Sequence, residues 1–314
     1  MFKKLFSIAC CGLLAIATGC TADQIKDSKS EVVIKALNKD GEAAEITVPS
    51  NPEKIAVLDM ALLDIVDSLG VGDRVVAVPK TSVDYLKKYG EDEKVKNAGT
   101  VKEVDMEALM EAQPDVIFIG GRLSSQYEAL EKIAPVVYLS NDYKGGIVTS
   151  VKNNAATIAS IFGKESEAKK LTDAFDARIA KIAEASKGKT AIVGLVTSSS
   201  FNTLGNDSRG SIIGMEAGFE NIATDVDSTH GNESSFELLV KKDPDYIFVI
   251  DRDSAINKEG AQLAKDVMDN ELVQKTKAYK NNHIVYLTST VWYLAEGGIT
   301  AMDTMLKDIE QAIL

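Results

Sequence analysis

From residue 31 onward the chain alternates short apolar runs with amphipathic stretches. VVIKAL, a KDG turn at Lys39 to Gly41 and EITVP read as a β-hairpin, two β-branched segments around a glycine-ended turn. Apolar runs of strand length predict further strands over 54–59, 74–78, 116–120, 136–139, 191–197, 246–250 and 283–287. Between them, apolar residues at three-and-four spacing predict helices, for example over 61–69, 106–112, 125–133 and 147–162. This alternation predicts an α/β fold with mostly parallel sheets covered on both faces.

ESEAKKLTDAFDARIAKIAEAS (165–186) is a longer, uninterrupted helical pattern, with Leu171, Phe175, Ile179 and Ile182 on one stripe between Gly163 and Gly188. Its central place suits one long helix joining two lobes, although a sheet-covering helix has the same pattern. The chain also repeats itself. MEALMEAQPDVIFIGGR (106–122) aligns with FELLVKKDPDYIFVIDR (236–252), pairing Pro114 with Pro244, Asp115 with Asp245 and Arg122 with Arg252 at a constant offset of 130. Each copy reads as a short helix, a Pro-Asp turn, an apolar strand and a loop ending in arginine. The expected organisation is an N-terminal α/β lobe over 31–163, an inter-lobe helix over 164–187 and a C-terminal α/β lobe over 188–314.

The first thirty residues follow neither pattern. MFKK is basic, residues 5–18 are apolar, and Ala17-Thr18-Gly19-Cys20 brings small residues up to a cysteine. The apolar stretch is too short to span a bilayer and suits a signal peptide over residues 1–19. The small-small-Cys ending is similar to a bacterial lipobox, in which the cysteine is acylated, although Ala17 stands where leucine is usual. A plain signal peptide is the alternative. Residues 20–30 are then a polar, lipid-anchored tether. All three cysteines, Cys10, Cys11 and Cys20, lie in this region, so the rest of the chain has neither a disulfide framework nor thiol chemistry.

At 45% hydrophobic and 26% charged residues, the 314-residue chain has an ordinary well-packed composition. A net charge of −12 without a basic tract speaks against nucleic acid as a partner. Hydrolase-elbow, P-loop, zincin and dinucleotide-binding motifs are missing, and two histidines cannot build a multi-histidine zinc site.

Only five of the 35 basic residues are arginine, and Arg122, Arg209 and Arg252 lie beyond the carboxyl ends of expected strands, where open α/β sheets bind ligands. A guanidinium stays charged and its planar fork grips anionic oxygens with two bonds. The three could build an anion pocket or be separate salt-bridged residues. His230 lies in a polar loop running into a helix that Ser234 would cap, and Tyr293 lies between the last strand and the final helix. Imidazole and phenolate are credible ligands for ferric iron, while a surface histidine and a packing tyrosine are the plainer readings.

The chain resembles the iron–siderophore branch of the periplasmic-type substrate-binding proteins, the CeuE-like and FatB-like lipoproteins for catecholate siderophores. The likeness runs over nearly all of the mature chain. It rests on IGGR after PDVIF, GNDSRGSI, THGNESSFE, PDYIFVIDR and VWYLAEGG, the last two being the most specific. The resemblance implies two lobes joined by one long helix, the helical-backbone type. It also implies that Arg122, Arg209 and Arg252 line a pocket for anionic catecholates. His230 and Tyr293 would complete the coordination of Fe(III) when the siderophore supplies only four donors. Glu107 and Glu237, each seven residues before its proline, match acids that dock on the permease of an ABC transporter. Acids favoured in a first helical turn would occupy the same positions.

The expectation is a monomeric, extracytoplasmic receptor anchored through Cys20. It delivers a ferric siderophore to that permease for iron uptake, with no permanent cofactor and no catalysis. A haem or cobalamin receptor on the same fold, or a siderophore-processing enzyme, are the alternatives.

Overall fold

The computed structural model describes residues 30–223, 232–234 and 236–314. The first sheet contains β1 (Glu31–Leu37), β2 (Ala43–Pro49), β3 (Ile55–Val57), β4 (Val75–Val78), β5 (Lys96–Asn97), β6 (Val116–Ile119) and β7 (Val136–Tyr138). Their spatial order is β2-β1-β7-β6-β3-β4-β5. Strands β3 to β7 pair in parallel, and the β1–β2 hairpin adds an antiparallel edge. That hairpin turns where Gly41 takes φ +77 and Asn38 Oδ1 accepts the amides of Asp40 and Glu42.

The second sheet contains β8 (Thr190–Thr197), β9 (Ser200–Leu204), β10 (Glu220–Asn221), β11 (Asn232–Ser234), β12 (Tyr246–Asp251) and β13 (Ile284–Tyr286). Here β8, β12, β13 and β10 are parallel, β9 pairs antiparallel with β8, and β11 pairs antiparallel with β9 and so runs with β8. Strands β3 and β6 are buried throughout, and β8 and β12 nearly so, as expected of sheets covered on both faces.

The internal repeat extends to the backbone. Helices Met106–Ala112 and Phe236–Lys242 occupy equivalent positions, and each is followed by a left-handed residue before its proline, Gln113 at φ 50 and Asp243 at φ 45. Each Pro-Asp aspartate then fastens the neighbouring strand. Asp115 accepts the amides of Glu53 and Lys54 just before β3, and Asp245 accepts the amide and hydroxyl of Thr190 at the start of β8.

Several elements differ from the sequence pattern. The stretch 165–186 divides into helices Glu165–Thr172 and Phe175–Ser186, not one unbroken helix. Thr172 donates its hydroxyl to the Ala168 carbonyl one turn back, a bond that competes with the helix ladder, while Asp173 and Ala174 keep right-handed angles between the two helices. The region 125–133 forms a 3-10 helix, Gly121–Gln126, followed by a single α-turn, Tyr127–Leu130. Ser234 ends β11, two residues before the helix that opens at Phe236.

The β8–β9 hairpin carries no glycine or asparagine in its turn. Ser198 and Ser199 take φ 50 and 64, and Asp253 compensates by accepting the Ser198 amide at 2.8 Å.

The final helix, Ile299–Ile313, packs on helix Met60–Ser68 of the first lobe and on Phe175–Ser186 of the connection. Asp64 accepts the amides of Thr300 and Ala301 at its start, and Arg178 grips Glu310 and Asp303 further along it. One hydrophobic core therefore runs through both lobes beneath this helix. Among the described residues, no helix is long and apolar enough to cross a membrane.

Candidate functional site

Three guanidiniums from three separate chain segments meet at one side chain, Tyr293. Arg122 follows β6 in the first lobe and donates through Nη2 to the Tyr293 carbonyl at 2.8 Å. Its Nη1 lies 3.8 Å from Asp59 Oδ2, and the close passage at Gly120 requires glycine, since a Cβ there would fall 2.2 Å from the same oxygen. Arg252 follows β12 in the second lobe, where Asp251 caps the short helix Arg252–Ala255. Its Nε donates to Tyr293 Oη at 3.0 Å, while Nη1 bonds Thr197 and Asp253. Arg209 Cζ stands 4.4 Å from the centroid of the Tyr293 ring, with Arg122 and Arg252 at 5.9 and 5.7 Å.

Arg209 reaches this point by a route the sequence pattern does not show. The strand before it, β9, runs antiparallel to β8, so its carboxyl end is not at the parallel strands' crevice, and the following loop makes the approach. Tyr293 lies in a single π-helical turn, Val291–Ala295, not in an open loop, and is 4% exposed. Trp292 beside it is fully buried and donates its indole N–H to Asp308 at 2.8 Å. Glu107 and Glu237 occupy exposed first turns of the two repeat-related helices and line neither chamber of the cleft described below. His230 and Cys20 lie outside the described residues.

The cluster separates two chambers of one cleft. The deeper, about 360 Å³, is lined by Asp59, Asn141, Tyr143, Asn154 and Glu296 as well as by Arg122 and Arg209. The outer, about 700 Å³, is lined by Lys80, Lys87, Lys102, Arg122 and Arg252, against a single acid, Glu91. Burial pushes the Asp59 carboxyl above its usual range, opposed by Arg122, and does the same to Glu296, opposed by Arg209 and Arg122. Such a cleft can hold a compact polyanion with flat π faces, since guanidinium binds anionic oxygens through its edge and aromatic rings through its face.

Sequence reasoning missed Asp59, Lys102, Tyr143 and Glu296. Glu296 sits inside VWYLAEGG and was within reach of that motif, whereas Lys102 has no local signal.

Two α/β sheets, a helical connection and a cationic cleft shared by both halves define a two-lobed ligand-binding protein. The chain belongs to the periplasmic binding protein family, whose model matches residues 55–291. It is 34% identical over 323 residues to the petrobactin-binding protein YclQ of Bacillus subtilis, covering 99% of this chain and 98% of that one. The crystal structure of YclQ matches with a TM-score of 0.83 over 91% of this chain and 99% of its own. The periplasmic catecholate-siderophore binding protein VctP of Vibrio cholerae is 29% identical, with a TM-score of 0.81 over 89% of this chain and all 100% of VctP. The siderophore-binding protein BauB, solved with a complex of two acinetobactin molecules and ferric iron, is 25% identical with a TM-score of 0.80, covering 91% of this chain and 99% of BauB.

Proposed function

We propose that this protein is an extracytoplasmic receptor that binds a ferric catecholate-type siderophore and delivers it to the permease of an ABC transporter for iron uptake. The observation that carries this reading is the convergence of three guanidiniums within 6 Å of one tyrosine ring. A ferric catecholate is a polyanion bounded by aromatic rings, and that cluster complements both properties. The relatives named above for petrobactin, a catecholate siderophore and ferric acinetobactin support the same ligand class.

Arg122, Arg209 and Arg252 grip the catecholate oxygens. Tyr293 and His230 take the two iron positions that a tetradentate siderophore leaves open, Tyr293 as phenolate because bound metal promotes loss of the phenol proton. A hexadentate siderophore satisfies the iron itself and is held by charge and shape. Glu107 and Glu237, one on each lobe, face the permease, and acylated Cys20 tethers the monomer to the membrane through residues 21–30. The role is binding and release of cargo, not catalysis; the relatives are named as binding proteins.

The test is to purify the protein from its own host and identify the extracted ligand by mass spectrometry and visible absorption. The expected result is an intact ferric catecholate with a broad visible band. A haem Soret band, a corrinoid or a hydrolysed siderophore would overturn the reading.

A further inference from the structure

Glu296 lies three residues after Tyr293, and the ligand chemistry above gives it no part. It is 7% exposed and lines the deep chamber. Its hydrogen bonds run to opposite sides of the cleft. Oε1 accepts the Gly210 amide at 3.0 Å, next to Arg209 in the chain. Oε2 accepts the Tyr143 hydroxyl at 3.3 Å, and the Glu296 carbonyl accepts Asn141 Nδ2 at 2.9 Å, both from the first lobe.

The Arg209 loop closes a backbone turn, with the Ser211 amide on the Ser208 carbonyl and the Ile213 amide on the Gly210 carbonyl, but its side chains have few ties. Ser208 Oγ, Arg209 Nε and Ser211 Oγ are buried and have no hydrogen-bond partner among the described residues. Gly210 takes φ +76, and a Cβ on it would meet Val193 Cγ1 at 3.0 Å, so only glycine comfortably presents this amide to Glu296. The other side of the contact is equally dependent on glycine. Gly297 takes φ +113, and a Cβ there would fall 2.5 Å from Asn141 Oδ1. One on Gly298 would fall 2.2 Å from Asp64 Oδ2. The EGG triplet thus lets one carboxylate reach the Arg209 loop while its own backbone lies against the first lobe.

We propose that Glu296 is a positioning residue that holds Arg209 and the Tyr293 turn in register with the first lobe, so that the arginine cluster is formed before the ligand arrives. Ligand binding then avoids the ordering cost of a loose loop, which is how preorganisation raises affinity. The carboxylate acts through the Gly210 amide and the Tyr143 hydroxyl. The inference rests on the proposed ligand class only for its consequence on affinity.

The experiment has a ligand-free arm and a ligand arm. In hydrogen exchange of the ligand-free protein, Glu296→Ala should speed exchange at the Gly210 amide and across 291–298 by at least about 10-fold, while the core strands stay protected. Glu296→Gln preserves the shape and the acceptor for Gly210, and should stay within about 3-fold of wild type. Titration with a ferric bis-catecholamide should show Glu296→Ala weaker by about 10-fold or more, with most of the loss restored in Glu296→Gln. Should the alanine variant not fold, Tyr143→Phe removes one bond of the bridge and should speed exchange in the same two segments. If wild type binds no ferric catecholate, the proposed ligand is wrong, and the exchange arm still decides the positioning role. Unchanged Gly210 exchange in Glu296→Ala, or in Tyr143→Phe when that is the variant that folds, would overturn the proposal. So would an affinity loss in Glu296→Gln equal to that in Glu296→Ala.

Discussion

Glu216 in the second lobe caps a helix of the first: its carboxylate accepts the Ile147 amide at 2.7 Å, and the Val148 amide at 3.1 Å, at the start of helix Ile147–Phe162. Asp64 returns the arrangement by capping the final helix with its bonds to Thr300 and Ala301. Both carboxylates satisfy backbone amides that a helix start leaves without partners, and both meet the positive end of a helix dipole. The lobes are therefore joined by exchanged caps as well as by the helical connection.

Glu216→Ala should lower the free energy of unfolding by about 1 kcal/mol, the usual size of an N-cap loss. Urea denaturation followed by circular dichroism measures it. A cost near zero would mean that water replaces the cap.

Replacing Arg122, Arg209 or Arg252 by alanine should weaken ferric catecholate binding by roughly 10-fold or more each, and lysine should recover little. The stability consequences should differ. Arg122→Ala leaves the buried Asp59 without its cation, whereas after Arg252→Ala Asp253 keeps its 2.9 Å bond to Lys258. Titration and thermal melts on the same three variants check both statements. Unchanged affinity in all three would leave the arginines as structural residues.

Reversing the charge of Glu107 or Glu237 should reduce iron uptake by cells while ligand affinity on purified protein stays constant. Their exposed, repeat-related positions motivate this division. A parallel loss of affinity would move them into the binding site.

The double variant His230→Ala, Tyr293→Phe should lose affinity for a tetradentate ferric catecholate far more than for a hexadentate one, with a shifted visible charge-transfer band for the former. Tyr293→Phe alone also removes the acceptor of the Arg252 Nε bond, so a modest loss with both ligands is expected from that variant. Equal large losses with both ligands would return the pair to packing roles.

Asp253 lies beneath Arg252 and is 2% exposed. Burial works to raise its carboxyl, but the Ser198 amide, the Lys258 ammonium and the Thr197 hydroxyl outweigh it and hold the group at about 2. A depressed carboxyl contributes stability that is complete above its unfolded value of 3.8 and is lost as pH falls through the folded value. The stability gap between wild type and Asp253→Asn should therefore be flat near neutrality and shrink from about pH 4 to about pH 2. A gap independent of pH across that window would remove Asp253 as an ionised support of Arg252.

The expected strands over 116–120 and 246–250 were legible because β6 and β12 are buried runs with turn signals beside them. Helices Met106–Ala112 and Ile147–Phe162 were equally legible, since their apolar stripes match a helix period. By contrast, β9 was hidden. Its hairpin turns through Ser198 and Ser199, whose positive φ angles depend on Asp253, a partner 55 residues further along. The division after Thr172 was hidden as well, because the apolar stripe of 165–186 continues across it.

The arginines show where local information ends. Their rarity against thirty lysines and the pairing of Arg122 with Arg252 in the repeat are properties of the chain, fixed by residue type and spacing. The α/β alternation and the parallel sheets follow from the same local patterning, because burial on two faces imposes its own composition on a strand. That Arg209 joins the other two, that all three meet Tyr293, and that Glu296 bridges Gly210 to Tyr143 depend on contacts between residues 41 to 171 positions apart. Such contacts exist only once both sheets, the connection and the final helix have packed into one core, since side-chain distance across a cleft is set by how whole elements dock and leaves no periodic trace along the chain.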